Sequence, residues 1–127
     1  MDGRGKTPHY PRLAPIDSYG RGGFRFAGMS HRGSLLLLPS GIWAWPVTEP
    51  SAITAETLAA VMSDADRIGL LLIGTGVARS PLPDELMRRL AAHGISVETS
   101  RTGQAANTYN ILLEEGRRVA AALIAVD

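Results

Sequence analysis

The residues best equipped for chemistry lie in two short loops, Gly74-Thr75-Gly76-Val77-Ala78-Arg79-Ser80 and Thr99-Ser100-Arg101-Thr102. Each follows an apolar run and precedes a stretch of helical spacing, so each reads as the outgoing loop of a strand. The glycines allow close backbone approach, threonine and serine add hydroxyls, and Arg79 and Arg101 add two guanidinium groups. If the two strands run the same way, their loops share one edge of the sheet, where helix N-termini present unpaired amides and a partial positive charge. A phosphate or carboxylate would be received there. The candidate pocket is Gly74, Thr75, Gly76, Arg79, Thr99, Arg101 and Thr102, with Asn110 from the following helix. The same residues have an architectural reading: a tight turn needing positive φ, with hydroxyls that satisfy helix amides. Asn110 is open in the same way, either bonding to a strand end or loop or lining a ligand site. The sequence leaves both readings standing.

Stronger chemical signatures are missing from the chain. No Gly-Lys-Ser/Thr follows the GTG turn, so it is no P-loop. Arg79 occupies the place of the third glycine of a dinucleotide fingerprint, as Arg25 does after Gly20-x-Gly22. His9, His31 and His93 show no ligand spacing, and the spacing of Asp17 and Glu98 gives no support for an acid/base pair. With no cysteine, disulfides, Cys-ligated zinc, iron–sulfur clusters and thiol catalysis are excluded. No catalytic residue, cofactor ligand or metal ligand is therefore assigned. A net charge of +1, with arginines scattered among acids, argues against a nucleic-acid partner.

The elements that must position the loops can be read by periodicity. Ile68 to Ile73 is an apolar run, which predicts an interior strand with parallel neighbours. A helix should start near Pro81–Pro83, bury Leu82, Leu86 and Leu90, and end at Gly94 with Ile95 folding back on its last turn. Ile95–Glu98 is then a parallel strand. Thr102, as a cap, should open a third helix running to about Glu115 and closed by Gly116, and Arg117–Val126 is the last strand. The C-terminal half is thus a β-α-β-α-β unit.

Upstream, Phe24–Ala27 and Ser34–Leu38 are expected to form an antiparallel hairpin around a turn from Gly28 to Gly33, after a flexible connection at Gly20–Gly23. Ile42–Trp45 adds a short strand with both tryptophans on one side, either core or a partner anchor. A helix capped by Thr54, with Ile53 and Leu58 as a hydrophobic staple, should run to about Ala65 and cross to Ile68. Residues 1–14, rich in Gly, Pro and charge, are expected to be a flexible arm, and 15–127 a single domain. Together these give an α/β fold in one compact domain, a mixed β-sheet with the C-terminal β-α-β-α-β unit and an N-terminal antiparallel meander. The polar N-terminus lacks a signal-peptide pattern and no run reaches bilayer length, so the expected location is cytoplasmic, in a chain that is not an integral membrane protein.

The order Tyr19-Gly20-x-Gly22-Gly23-Phe24-Arg25, Gly28, Gly33-Ser34, a Leu-rich strand into Pro39, Leu71-Leu72-Ile73-Gly74-Thr75-Gly76, Gly94-Ile95-x-Val97-Glu98, Thr102, Ala105, Thr108-Tyr109-Asn110, Leu113 and Glu115-x-Arg117-x-Val119 resembles the MTH938-like family. These are small uncharacterised bacterial and archaeal proteins. Eukaryotic relatives include the mitochondrial NADH:ubiquinone oxidoreductase (complex I) assembly factor 3. The resemblance implies a compact mixed-sheet α/β domain and imports no catalytic residue. It implies protein partners in respiratory or membrane-complex assembly, peripheral to the inner membrane. Two function classes follow: a non-enzymatic interaction module docking through the GTG edge or the Trp43/Trp45 strand, and a protein, enzymatic or not, with an anionic small-molecule site at the two loops. A module should expose a contiguous apolar patch. A ligand site should be concave, with both loops and Arg79 or Arg101 converging.

Overall fold

The computed structural model describes residues 7–127. Its centre is a five-stranded sheet of order β5-β4-β8-β6-β7, made of β4 (Ser34–Leu38), β5 (Gly41–Trp45), β6 (Leu70–Gly74), β7 (Ser96–Ser100) and β8 (Val119–Leu123). β6 is parallel to both neighbours, pairing Leu72 with Glu98 on one side and with Ala121 on the other. β4 runs antiparallel to β8 and to β5, so the sheet is mixed. A continuous apolar run has no solvent face to offer, which is why β6 takes an interior place.

Two apolar layers sandwich that sheet. Leu36, Leu38, Leu71 and Ile73 face one side, with Trp43 and Trp45, and pack on α1 (Ala59–Ser63) and α2 (Asp84–Ala92) through Val61, Leu86 and Leu90. Leu35, Leu37, Leu72 and Ala121 face the other, and meet α3 (Thr102–Glu114) through Ala105, Ala106 and Tyr109. Strand alternation thus sends successive leucines into different cores. Both tryptophans are core residues: the Trp45 indole N–H donates to the Thr57 carbonyl at 2.7 Å, and Trp43 donates to the Ser40 hydroxyl. A docking surface built on Trp43 and Trp45 is thereby excluded.

Helix ends follow local chemistry. Gly94 has φ 79°, the Ile95 amide donates to Leu90 at 3.2 Å and the Gly94 amide to Ala91, which is the Schellman stop expected there. Gly116 repeats it, with Arg117 donating to Leu112 and Gly116 to Leu113. Thr54 accepts from the Thr57 amide, and Ile53 and Leu58 are buried. The helix that follows is only Ala59–Ser63, much shorter than expected, and a 3-10 turn over Ala65–Arg67 leads towards β6.

The N-terminal part departs most from expectation. Phe24 and its neighbours do not pair with Ser34–Leu38. A separate antiparallel sheet forms from β1 (Ile16–Gly20), β2 (Gly23–Phe26) and β3 (Met29–Arg32), while β4 and β5 extend the large sheet. Gly20–Gly23 is a two-residue hairpin turn and not a flexible link, and the stretch expected as one long turn holds β3. Arg21 and Gly22 take φ of 52° and 78°, and Ala27 and Gly28 take 50° and 75°, as the turns matching strand twist require. Ile16, Phe24 and Phe26 seal this sheet onto the α3 side of the core. Of the expected arm, residues 1–6 lie outside the described residues. Beyond them, the His9 amide donates to Ile42 and Ile42 to Tyr10, along the edge of β5, and Ala14 is buried.

Candidate functional site

Because β6 and β7 are parallel, their outgoing loops do share one edge. The two loops are tied tightly together there. The Thr75 amide donates to the Ser100 carbonyl at 2.8 Å, and the buried Thr75 hydroxyl donates to Ala78, reaches Ser100, and accepts from the Ser80 amide at 2.9 Å. Arg79 is exposed and spends its Nε–H on the Thr99 carbonyl.

Thr102 is fully buried and was expected to cap α3. Its hydroxyl instead accepts from the Gly76 amide at 3.1 Å and donates to the Ile124 carbonyl at 2.7 Å, while its amide donates to the Gly76 carbonyl. Arg101, with extended backbone, holds the cap position and is exposed. Gly74 is needed at the crossing, since a Cβ there would stand 2.8 Å from Thr102 Cα and 3.1 Å from a Leu123 methyl. Overpacking of that kind forces strand and helix apart.

Gly74, Thr75, Gly76 and Thr102 are therefore gathered around one hydrogen-bonded clasp, with Thr99 and Arg79 linked at its rim. Asn110 is elsewhere, eight residues into α3 and so about 12 Å along the axis from Thr102. Its side chain closes the edge of β1: Oδ1 accepts from the Ile16 amide and Nδ2 donates to the Ile16 carbonyl, both at 2.8 Å. Beside the GTG turn lies an open depression of about 370 Å³, lined by Thr75, Gly76 and Ser80 together with Glu49 and Asp127. None of Arg79, Thr99, Arg101 and Thr102 lines it. Among the described residues, no buried side-chain polar atom lacks a hydrogen-bond partner, and no three metal-ligating side chains cluster. Asp17 and Glu98 are both exposed.

Two features escaped sequence reading. His9 and His31, distant in sequence, bring their rings to 4.8 Å. Burial, then the neighbouring His9, hold the His31 imidazole below its ordinary value of 6.5, against the raising effect of its hydrogen bond to the Ser34 carbonyl. The second is a larger concavity of about 550 Å³ on the outer face of the small sheet, where Arg21, Arg25 and Arg32 gather with Ser18, Ser30 and Tyr19. Arginines at three separate chain positions carried no periodic signal; the hairpins alone bring them together.

Residues 16–124 match the family described as "Protein of unknown function (DUF498/DUF598)". The chain belongs to that family. Among solved structures, it superposes on a Bartonella henselae protein described as an outer membrane protein with a TM-score of 0.91 and 51% identity, covering 94% of this chain and 100% of that one. The Mth938-like domain of Bordetella pertussis gives a TM-score of 0.78 at 31% identity, covering 96% of this chain and 92% of that one. The expected MTH938-like α/β fold is thus the one observed. A curated relative is the NADH dehydrogenase [ubiquinone] 1 alpha subcomplex assembly factor 3 of Mus musculus, 34% identical over 91% of this chain. The chain spans 62% of that relative's length. No helix among the described residues is long and apolar enough to cross a membrane.

Proposed function

We propose that this DUF498/DUF598 member is a non-enzymatic interaction module that assists assembly of a respiratory NADH dehydrogenase, working from the cytoplasm at the periphery of the inner membrane. The observation that carries this reading is the similarity to the mouse assembly factor over 91% of the chain. The GTG clasp supports it: the Thr75 and Thr102 hydroxyls spend their donor and acceptor capacity inside the protein. Hydroxyls so engaged hold loops in place and have little left to offer a substrate.

Affinity purification of tagged protein from its own host, with mass spectrometry of the bound fraction, tests the reading. NADH dehydrogenase subunits should be enriched over an untagged control, and a bound fraction without them would remove it. The second reading, an anionic small-molecule site at the rim, is supported by the 370 Å³ depression beside Thr75 and Gly76, although the carboxylates of Glu49 and Asp127 in its lining oppose an anion. Thermal-shift screening with phosphates, nucleotides and carboxylates decides that case, because a ligand binding only the native state raises its melting point.

A further inference from the structure

The outer face of the small sheet has an unbalanced charge. Gly23 pairs with Arg32 and Arg25 with Ser30, so Arg25 and Arg32 are diagonal neighbours on one face, a separation of about 7–8 Å between such positions. Arg21 stands in the adjoining hairpin turn, and all three side chains are exposed. Arg25 donates to the Ser30 hydroxyl at 2.7 Å, which fixes its direction while leaving most of its five N–H donors unused. No carboxylate lines this concavity, and none pairs with these arginines among the described residues. Like charges gathered on one face without a carboxylate partner favour an anionic occupant.

The edges of the two sheets say what form that occupant takes. Asn110 closes the outer edge of β1, and the backbone of Tyr10 covers that of β5. β3 is the other edge of the small sheet, and among the described residues its outer side has no such cover. An uncovered antiparallel edge is a template for an added strand, and in such additions main-chain hydrogen bonds supply affinity while alternate side chains supply selectivity. A strand laid along Met29–Arg32 would carry every second side chain onto the face of Arg25 and Arg32.

We propose that the small sheet docks an acidic, extended peptide segment of a protein partner, added along β3 with its carboxylates on Arg25, Arg32 and Arg21. This rests on the interaction-module reading. The probe is a fluorescein-labelled peptide of alternating glutamate and valine, titrated into the full chain at low salt and followed by anisotropy, with amide chemical shifts mapping the site. Shifts should fall on residues 29–32 and on Arg25. The double variant Arg25→Glu/Arg32→Glu, exposed at both positions and checked for an unchanged fold by its amide spectrum, should bind at least about tenfold more weakly. An alternating glutamate–proline peptide of equal charge, unable to extend a ladder, should also lose about tenfold.

Shifts at the GTG rim, or equal binding of the proline peptide, would overturn the proposal. So would binding to phosphatidylglycerol vesicles without binding to the peptide, which would make the patch a lipid contact. Purification with the double variant separates the two claims. If wild type and variant retain the same NADH dehydrogenase subunits, the docking proposal fails and the module reading stands. If wild type retains none, the module reading fails, and the peptide titration still judges the patch.

Discussion

The Thr102 hydroxyl accepts a hydrogen bond from the Gly76 amide at 3.1 Å and donates one to the Ile124 carbonyl at 2.7 Å. One buried side chain thus joins the GTG turn, the start of α3 and the exit from β8. Replacing it by valine keeps the shape but strands a buried donor and acceptor, at about 1–3 kcal/mol for each group left unsatisfied. Thr102→Val should therefore lower unfolding free energy in urea by about 2–4 kcal/mol, while Thr102→Ser, which keeps the hydroxyl, should lose less than half of that.

Gly74→Ala tests the close crossing of β6 and α3. The new methyl would meet Thr102 backbone and a buried leucine, neither of which can swing clear. A loss of about 2–3 kcal/mol in denaturant titration is expected, in the upper range for overpacking. An equal substitution at Gly103 meets the end of the half-exposed Tyr19 ring, which can move into solvent, and should cost less.

Asn110 closes β1 by bonding both polar groups of the Ile16 backbone. Asn110→Leu should release that edge, at about 1–3 kcal/mol. Native-state hydrogen exchange should show the Ile16 amide losing protection while the amides of β6 and β8 keep theirs. Asn110→Asp, which retains the acceptor, should protect the Ile16 amide better than leucine does.

Ala27 is exposed and sits at φ 50°, a region costly for a residue with a Cβ. Ala27→Gly relieves that conformation at the price of a freer unfolded chain. Because the relief exceeds the entropy lost, a gain of about 0.5 kcal/mol in urea unfolding is expected. Ala27→Val should destabilise, since β-branching disfavours positive φ.

His31 has a folded-state proton affinity below its ordinary value, from burial first and from His9 second. The unfolded chain then binds more protons than the folded one between that lowered value and about pH 7, so the contribution of His31 is fully present above 6.5 and is lost as pH falls from there through the lowered folded-state value. In His31→Gln, thermal unfolding midpoints between pH 7.5 and about 5 should decline less steeply than in wild type. An identical slope would show that His31 does not set the dependence.

The sequence by itself determined what neighbouring residues decide together. The apolar run before Gly74 demanded a strand enclosed on both faces, leucines four apart demanded the buried side of α2, and Gly94 and Gly116 demanded helix stops, because each follows from backbone period or φ within a few residues. Only the tertiary structure decided how the N-terminal strands pair. Asp17-Ser18-Tyr19 and Ser30-His31-Arg32 have no alternation that marks a strand. β1 and β3 exist because two-residue turns fold each onto β2, and Asn110, 94 residues away, closes the edge of β1 at Ile16. The uses of the Thr102 hydroxyl, the meeting of His9 with His31 and the convergence of Arg21, Arg25 and Arg32 belong to the same class. Each depends on geometry between segments that no local pattern encodes, fixed once burial of the two leucine-lined faces brings those segments together.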